Sequence, residues 1–298
     1  MACNSNTSEP LFDCGGDNEH SSNTGHPLKN GPTITSHPIT KFHNYLLQKE
    51  PEFARLMELR TKGWQNPRGD DHFKTQRHRA DTAAGKEAAM FFRVMQQIGD
   101  ELQEKTKALT LTNTSSDGIR ILDLCMAPGG YTASALKYNP NATAVGITLP
   151  PDQGGHQVLL KSPRSSVIYH DITMFASEFG IDQVPATHPE YNSFSKERPF
   201  LNQRFDLVFC DGQVLRTHQR PMYRDQHEAS RLTLSQLILA LQRIRQGGTL
   251  IMLLHKIEAW TTIELLYRFS QFASIEVFKP GRSWLPSLGQ CGRFKQTH

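Results

Sequence analysis

Ile121-Leu122-Asp123-Leu124-Cys125-Met126-Ala127-Pro128-Gly129-Gly130-Tyr131 is the stretch that decides the fold. An apolar run of strand length ends in a glycine pair, and a helical pattern follows over 131–138. Two adjacent glycines let the backbone approach a ligand with no Cβ in the way, and the next helix start offers free N–H groups and a positive dipole end. Such a turn suits a carboxylate or a phosphate. It is not the dinucleotide-binding GxGxxG, because the third glycine is missing and Pro128 stands where flexibility is needed. Nor is it a P-loop, since no Gly-Lys-Ser/Thr follows.

The same rhythm continues downstream. Strands are expected over 143–149, 166–169, 205–210, 249–254 and 274–278, with helices over 232–244 and 261–272. Strands alternating with helices imply an α/β fold with a doubly wound, mostly parallel sheet. In such sheets ligands bind beyond the carboxyl ends of the strands, so the residues just past each apolar run carry the information. Residues 183–204 are polar and proline-containing and read as an insertion loop.

Upstream, residues 1–38 are rich in Asn, Ser, Thr, Gly, Pro and His, without apolar clustering, and are expected to form a disordered arm. Residues 39–110 read as a helical extension packing on a catalytic domain over 111–298. Within the extension, apolar residues recur at helical spacing around Phe42–Leu59 positions and again over 82–104, flanking a basic stretch over 60–79. Residues 280–298 form an atypical tail.

Length and composition bound the rest. The 298 residues suffice for one or two domains. Lys plus Arg is 33 against 29 acids, a net +4 too small to demand a nucleic-acid partner. Residues 277–298 hold Lys279, Arg282, Arg293 and Lys295 and no acid, so the excess lies in the tail. No apolar run approaches the ~18 residues of a membrane helix, and residues 1–10 show no secretory signal. Five scattered cysteines form neither a disulfide ladder nor a zinc pattern. These features point to an intracellular chain, cytoplasmic or nuclear, with no metal and no membrane contact.

At 123–131 the sequence resembles the FtsJ-like family of RNA ribose 2′-O-methyltransferases, whose first motif is similar to DLxxAPGG followed by an aromatic. The resemblance covers roughly 86–279 in order of motifs. It implies a Rossmann-like domain that uses S-adenosylmethionine (SAM) and acts on RNA. Asp123, Cys125, Ala127, Pro128, Gly129, Gly130 and Tyr131 would then hold the methionine part of the cofactor. Thr148 stands at the second strand end, where many such enzymes place an acid for the ribose hydroxyls; Asp152 follows it. Asp171, at the third strand end, would accept from the adenine amine, although an Asp there also caps the following turn well.

The family's chemistry uses a Lys-Asp-Lys-Glu set, and the resemblance implies its members residue by residue. Asp211, at the end of the fourth strand, matches the catalytic Asp. Lys256 is the lysine near the end of the fifth strand, although Leu253 occupies the nominal position after the Gly247-Gly248 pair. Arg93 fills the context of the first lysine, with Lys86 in reserve. Arginine keeps its charge at any relevant pH, so Arg93 would bind substrate and not act as a base. No acid follows Glu276, so the last strand and its Glu are expected to be missing. The arginines at 60–79 and Arg216, Arg220, Arg224 and Arg231 are candidates for phosphate contacts. The incomplete set leaves a rival reading, a catalytically impaired SAM- or RNA-binding module, and a third, a small-molecule methyltransferase.

Overall fold

The computed structural model describes residues 38–66, 68, 71, 74, 75, 78, 79, 81–111, 118–254, 256–281 and the backbone of 290–296. The expected N-terminal arm, and the tail over 282–289, lie outside the described residues. The described residues divide into two compact units, 38–75 and 78–296.

In the first unit, α1 (Pro38–Lys49) and α2 (Pro51–Trp64) meet at an edge-to-face contact of His43 with Phe53, ring centroids 5.3 Å apart. Pro51 opens α2 at a position where its missing N–H costs nothing.

The second unit is a seven-stranded sheet with helices on both faces. Its strands are β1 (Arg120–Leu124), β2 (Thr143–Thr148), β3 (Ser165–Tyr169), β4 (Phe205–Cys210), β5 (Ile244–Leu254), β6 (Ala273–Phe278) and β7 (Gln290–Gln296). The order is β3-β2-β1-β4-β5-β7-β6. The first five strands run parallel, and β7 pairs antiparallel with both β5 and β6.

Successive residues of a strand point to opposite faces. Ile121, Leu207, Phe209 and Ile251 therefore pack on one side, beneath α3 (Lys86–Thr106) and α4 (Gly130–Tyr138). Leu122, Leu124, Val208, Leu250 and Met252 pack on the other, beneath α5 (Glu228–Arg243) and α6 (Trp260–Ser270). β4, covered on both faces, is buried at every residue, which is why Leu207 to Cys210 read as a continuous apolar run. α3 belongs to this unit because its apolar stripe, Val94, Ile98 and Leu102, is buried in the sheet's core.

Two expectations are corrected. Gly247 and Gly248 do not precede the fifth strand but lie within it. Gly247 sits at φ 74° in a bulge where the β4–β5 register shifts, and the strand begins at Ile244. The final strand is present, as β7. Its sequence, Gln290-Cys291-Gly292-Arg293-Phe294-Lys295-Gln296, shows no apolar alternation, but β7 lies between β5 and β6 and takes its ladder bonds from both. The acid expected on it is absent: Gln290 opens the strand in register with Leu254. No described helix is long and apolar enough to cross a membrane.

A buried amide ties the approach to β1 onto α4. The Asn139 side chain donates to the carbonyls of Leu109 (2.6 Å) and Ala135 (2.8 Å) and accepts from the Leu111 amide (3.2 Å). Asn139→Ala strands those groups without partners and is expected to cost about 2 kcal/mol, read as a lowered denaturation midpoint with an unchanged slope.

Candidate active site

The turn after β1 is held from below and from the side. Cys125 and Met126 amides both donate to the Ile147 carbonyl, at 2.9 and 3.0 Å. The Ala127 amide donates to Thr148 Oγ1 (3.3 Å), and the Leu159 amide donates to the Pro128 carbonyl (3.0 Å). Cys125 adopts φ 92° and Gly129 φ 98°, with a cis Ala127–Pro128 bond between them. A non-glycine residue at such an angle carries strain that the surrounding bonds must hold. Beneath the turn, Thr132 Oγ1 at the start of α4 donates to Asp123 Oδ2. The turn therefore reaches the helix as a pinned loop.

A cavity of about 280 Å³ opens above it, at the carboxyl ends of the parallel strands. Cys125, Ala127, Pro128 and Tyr131 of the turn line it, with Thr148 from β2, Asp171 after β3 and Asp211 after β4. Phe91 and Met95 from α3 and Leu253 from β5 close other parts of the wall.

Two carboxyls share the floor of this region. Asp123 is 1% exposed, and burial pushes its pKa up to about 7, opposed by the Thr132 hydrogen bond. Burial, and then the neighbouring Asp123 charge, push Asp211 well up too. The Cys125 and Cys210 thiols are likewise pushed up, by burial first and then by Asp211 and Asp123, so neither is an activated thiolate. A carboxyl with a raised folded-state pKa stabilises the fold at low pH and loses that contribution as the pH rises through the folded value. Asp123→Asn is therefore expected to gain stability relative to the wild type between about pH 4 and pH 7, by a few kcal/mol. Paired denaturant titrations at the two ends of that window check it.

Asp171 is fixed by an ion cluster. Its Oδ1 accepts from the Thr173 amide (2.9 Å) and hydroxyl (2.8 Å), and its Oδ2 accepts from Arg224 Nη2 (2.9 Å). Burial works against the carboxylate, but Arg224 and Thr173 outweigh it and hold the carboxyl below its ordinary value. Arg224, 2% exposed, also bonds Glu228 through Nη2 (2.6 Å) and Nε (3.0 Å), and Glu190 of the insertion loop through Nη1 (2.9 Å). His218 approaches Asp171 at 3.5 Å and Glu228 at 3.9 Å. Asp171, His218 and Glu228 present donor atoms within 4.8 Å of one another, a spacing a metal could use. The guanidinium already occupies both carboxylates and supplies the positive charge.

The cavity brings together only some of the expected residues. Cys125, Ala127, Pro128, Tyr131, Thr148, Asp171 and Asp211 line it; Asp123 lies beneath it. Gly129 and Gly130 are not on the wall. Gly129 supplies the left-handed turn, and Gly130 lets α4 touch α3, since a Cβ there would meet Met95 Cβ at 2.4 Å and the Phe92 carbonyl at 2.6 Å. Two expected catalytic residues do not arrive. Arg93 is exposed, because Ala88, Phe91 and Met95 are the α3 residues facing the cavity and Arg93 points elsewhere on the helix. Lys256 is exposed at φ 59°, two residues past the end of β5, and Leu253 takes the wall. Asp152 is exposed on a short 3₁₀ turn, and Lys86 is exposed at the start of α3.

The four arginines over 216–231 read as phosphate contacts have acidic partners within the unit. Arg224 and Arg231 bind Glu228, Arg220 binds Asp225 (2.8 Å), and Arg216 lies 3.8 Å from Asp81. Sequence reasoning missed His156, His170 and His218, which line the cavity from loops after β2, β3 and β4. Their position just beyond strand ends was the available signal.

The family model for FtsJ-like methyltransferases matches residues 100–284. The AdoMet-dependent rRNA methyltransferase SPB1 of Mycosarcoma maydis is 27% identical over 164 residues, covering 54% of this chain. The match spans about 15% of that protein's length. Among solved structures, a Plasmodium falciparum ribosomal RNA methyltransferase is 17% identical, with a TM-score of 0.42, covering 68% of this chain and 95% of its own. A Streptococcus thermophilus rRNA methylase is 12% identical, with a TM-score of 0.36 and the same two coverages, 68% and 95%. The matched family segment takes in the β1 turn, the strand ends that line the cavity and the helices α4, α5 and α6. The chain belongs to the FtsJ-like methyltransferase family, whose methyl donor is S-adenosylmethionine.

Proposed function

We propose that this chain transfers a methyl group from S-adenosylmethionine to a ribose 2′-hydroxyl of RNA. One observation carries the reading: the pinned β1 turn, Thr148, Asp171 and Asp211 all open onto a single cavity at the carboxyl ends of the sheet. The residues suit the donor. Asp123 Oδ1 and Asp211 Oδ1 are buried without hydrogen-bond partners among the described residues, next to a turn in which Cys125 holds a positive φ. Residues 125–128 would hold the methionine part, and Thr148 and Asp171 the nucleoside, with Asp171 kept ionised by Arg224. When bound, the donor supplies an electrophilic methyl on a cationic sulfonium. Asp211 would stand toward the acceptor, and Phe91, Met95 and Leu253 add apolar wall to the same cavity. Methyl transfer is largely in-line positioning of two bound partners, which a rigid cavity provides.

Support for RNA comes from the family and from a relative that is itself named an rRNA methyltransferase. The test is transfer of labelled methyl from S-adenosylmethionine to transcripts of ribosomal, transfer and capped messenger type. Label in the RNA supports the reading. Donor binding without transfer to any of them overturns it and leaves a non-catalytic module or a small-molecule methyltransferase.

A further inference from the structure

Arg216 is the one lysine or arginine among the described residues that line the cavity. It stands on the loop that leaves β4 after Asp211, and its side chain is 57% exposed. Its ion partner is Asp81, 3.8 Å away, in the segment that leads into α3. Asp81 also lines the cavity, with Ala83, Ala88 and Phe91 following it. The pair therefore joins two parts of the cavity rim, the loop after β4 and the approach to α3.

The backbone that carries Arg216 is fixed on both sides of it. The Gly212 amide donates to Gln236 Oε1 (2.9 Å), and the Leu215 carbonyl accepts from Arg220 Nη1 (2.8 Å). Thr217 Oγ1 donates to the Gly154 carbonyl (2.7 Å), and the Gln219 amide donates to the Gln153 carbonyl (3.2 Å). Gly154 holds φ 90°, and a Cβ there would lie 1.9 Å from the Thr217 carbonyl oxygen, so the two loops meet backbone to backbone. The guanidinium itself is held far more loosely. Its 3.8 Å approach to Asp81 exceeds hydrogen-bond length, and an ion pair this exposed contributes little. Arg224 and Arg220, by contrast, reach their carboxylates at 2.6 and 2.8 Å. A pinned backbone that presents a loosely paired cation to a cavity is suited to an incoming anion.

We infer that Arg216 binds a phosphate of the RNA that enters this cavity, and that Asp81 occupies the guanidinium until the RNA arrives. This rests on the RNA methyltransferase reading. The planar fork of an arginine matches two phosphate oxygens, a geometry that the long contact with Asp81 leaves unused. A phosphate that pairs with Arg216 displaces Asp81, whose charge then opposes the RNA. The two residues should therefore act on RNA binding with opposite signs. The contact is to the backbone, so it positions the acceptor strand and carries no base preference. The other anion able to reach this wall is the donor's own carboxylate, and the test separates the two.

Fluorescence anisotropy of a labelled, mixed-sequence oligoribonucleotide about 16 nucleotides long reads binding to the full chain with S-adenosylhomocysteine present. Arg216→Gln should weaken RNA binding about tenfold. It should also flatten the slope of log affinity against log salt by about 0.7, the value of one phosphate contact on a single strand. Arg216→Lys should keep the slope and lose part of the affinity, because the charge stays and the fork goes. Asp81→Asn should tighten RNA binding about two- to fivefold. S-adenosylhomocysteine affinity should be unchanged in all three variants.

Wild-type RNA affinity and salt slope in Arg216→Gln overturn the proposal, as does weaker RNA binding by Asp81→Asn. Loss of S-adenosylhomocysteine affinity in Arg216→Gln, at an unchanged thermal midpoint, assigns the guanidinium to the donor carboxylate and overturns it too. A wild type that binds no RNA overturns the proposal and leaves the transfer assay to decide the methyltransferase reading. The expected variant pattern in a chain that methylates no RNA overturns that reading alone.

Discussion

Arg224→Met is expected to destabilise the methyltransferase unit by about 3–5 kcal/mol and to weaken S-adenosylhomocysteine binding at least tenfold. The guanidinium is the shared partner of Asp171, Glu190 and Glu228, all reached at 2.6–3.0 Å. Its removal leaves three acids packed together, with Arg231 on Glu228 (3.3 Å) and the neighbouring His218 as the remaining basic partners. Methionine keeps the length of the side chain, so the loss is electrostatic and not a cavity. The pH dependence separates this cause from general damage. In the wild type the Asp171 carboxyl is held low, so its contribution is present above its unfolded value, near pH 4, and fades as the pH falls. Without Arg224, burial pushes the same group up. The variant's deficit should then be largest at pH 8 and shrink toward pH 5, as the clustered acids take up protons. Denaturant titrations at both pH values measure it; a deficit independent of pH would contradict the electrostatic account.

Gly130→Ala is expected to cost about 1–3 kcal/mol and to weaken donor binding, though it adds one methyl group. Gly130 opens α4 directly behind the pinned turn. The added Cβ would lie 2.4 Å from Met95 Cβ and 2.6 Å from the Phe92 carbonyl, and a backbone carbonyl cannot swing away as a side-chain end can. α3 and α4 must therefore separate, and Met95 on the cavity wall moves with α3. Thermal unfolding and S-adenosylhomocysteine titration read the two effects. A variant with wild-type Tm and affinity would show that the helix contact is looser than described.

The parts of this molecule legible in its sequence were those written in local pattern. β1 to β4 follow from apolar runs bounded by turns, and the turn after β1 follows from two glycines behind an aspartate. What failed were features set by distant partners. β7 has no apolar rhythm to reveal it, since its place comes from ladders to β5 and β6 laid down earlier in the chain. β5 was cut short because a glycine pair reads as a break, while in the sheet it is a bulge. Arg224 looked like one of four arginines offered to phosphate, and only folding brings Asp171 and Glu190 to it, 53 and 34 residues away. Arg93 and Lys256 were assigned from motif context, which does not fix the helical phase of α3 or the exit of β5. Leu253, at the nominal lysine position, was the residue that reached the wall.

The central claim is that the cavity above the β1 turn methylates a ribose hydroxyl. A 2′-O-methyl group removes the nucleophile that alkali uses to cleave the next phosphodiester. RNA labelled by this protein from methyl-labelled S-adenosylmethionine should therefore, after complete alkaline hydrolysis, carry its label in resistant dinucleotides, and Asp211→Asn should leave almost none. Label confined to mononucleotides, or none in any RNA while the donor binds, would contradict the account.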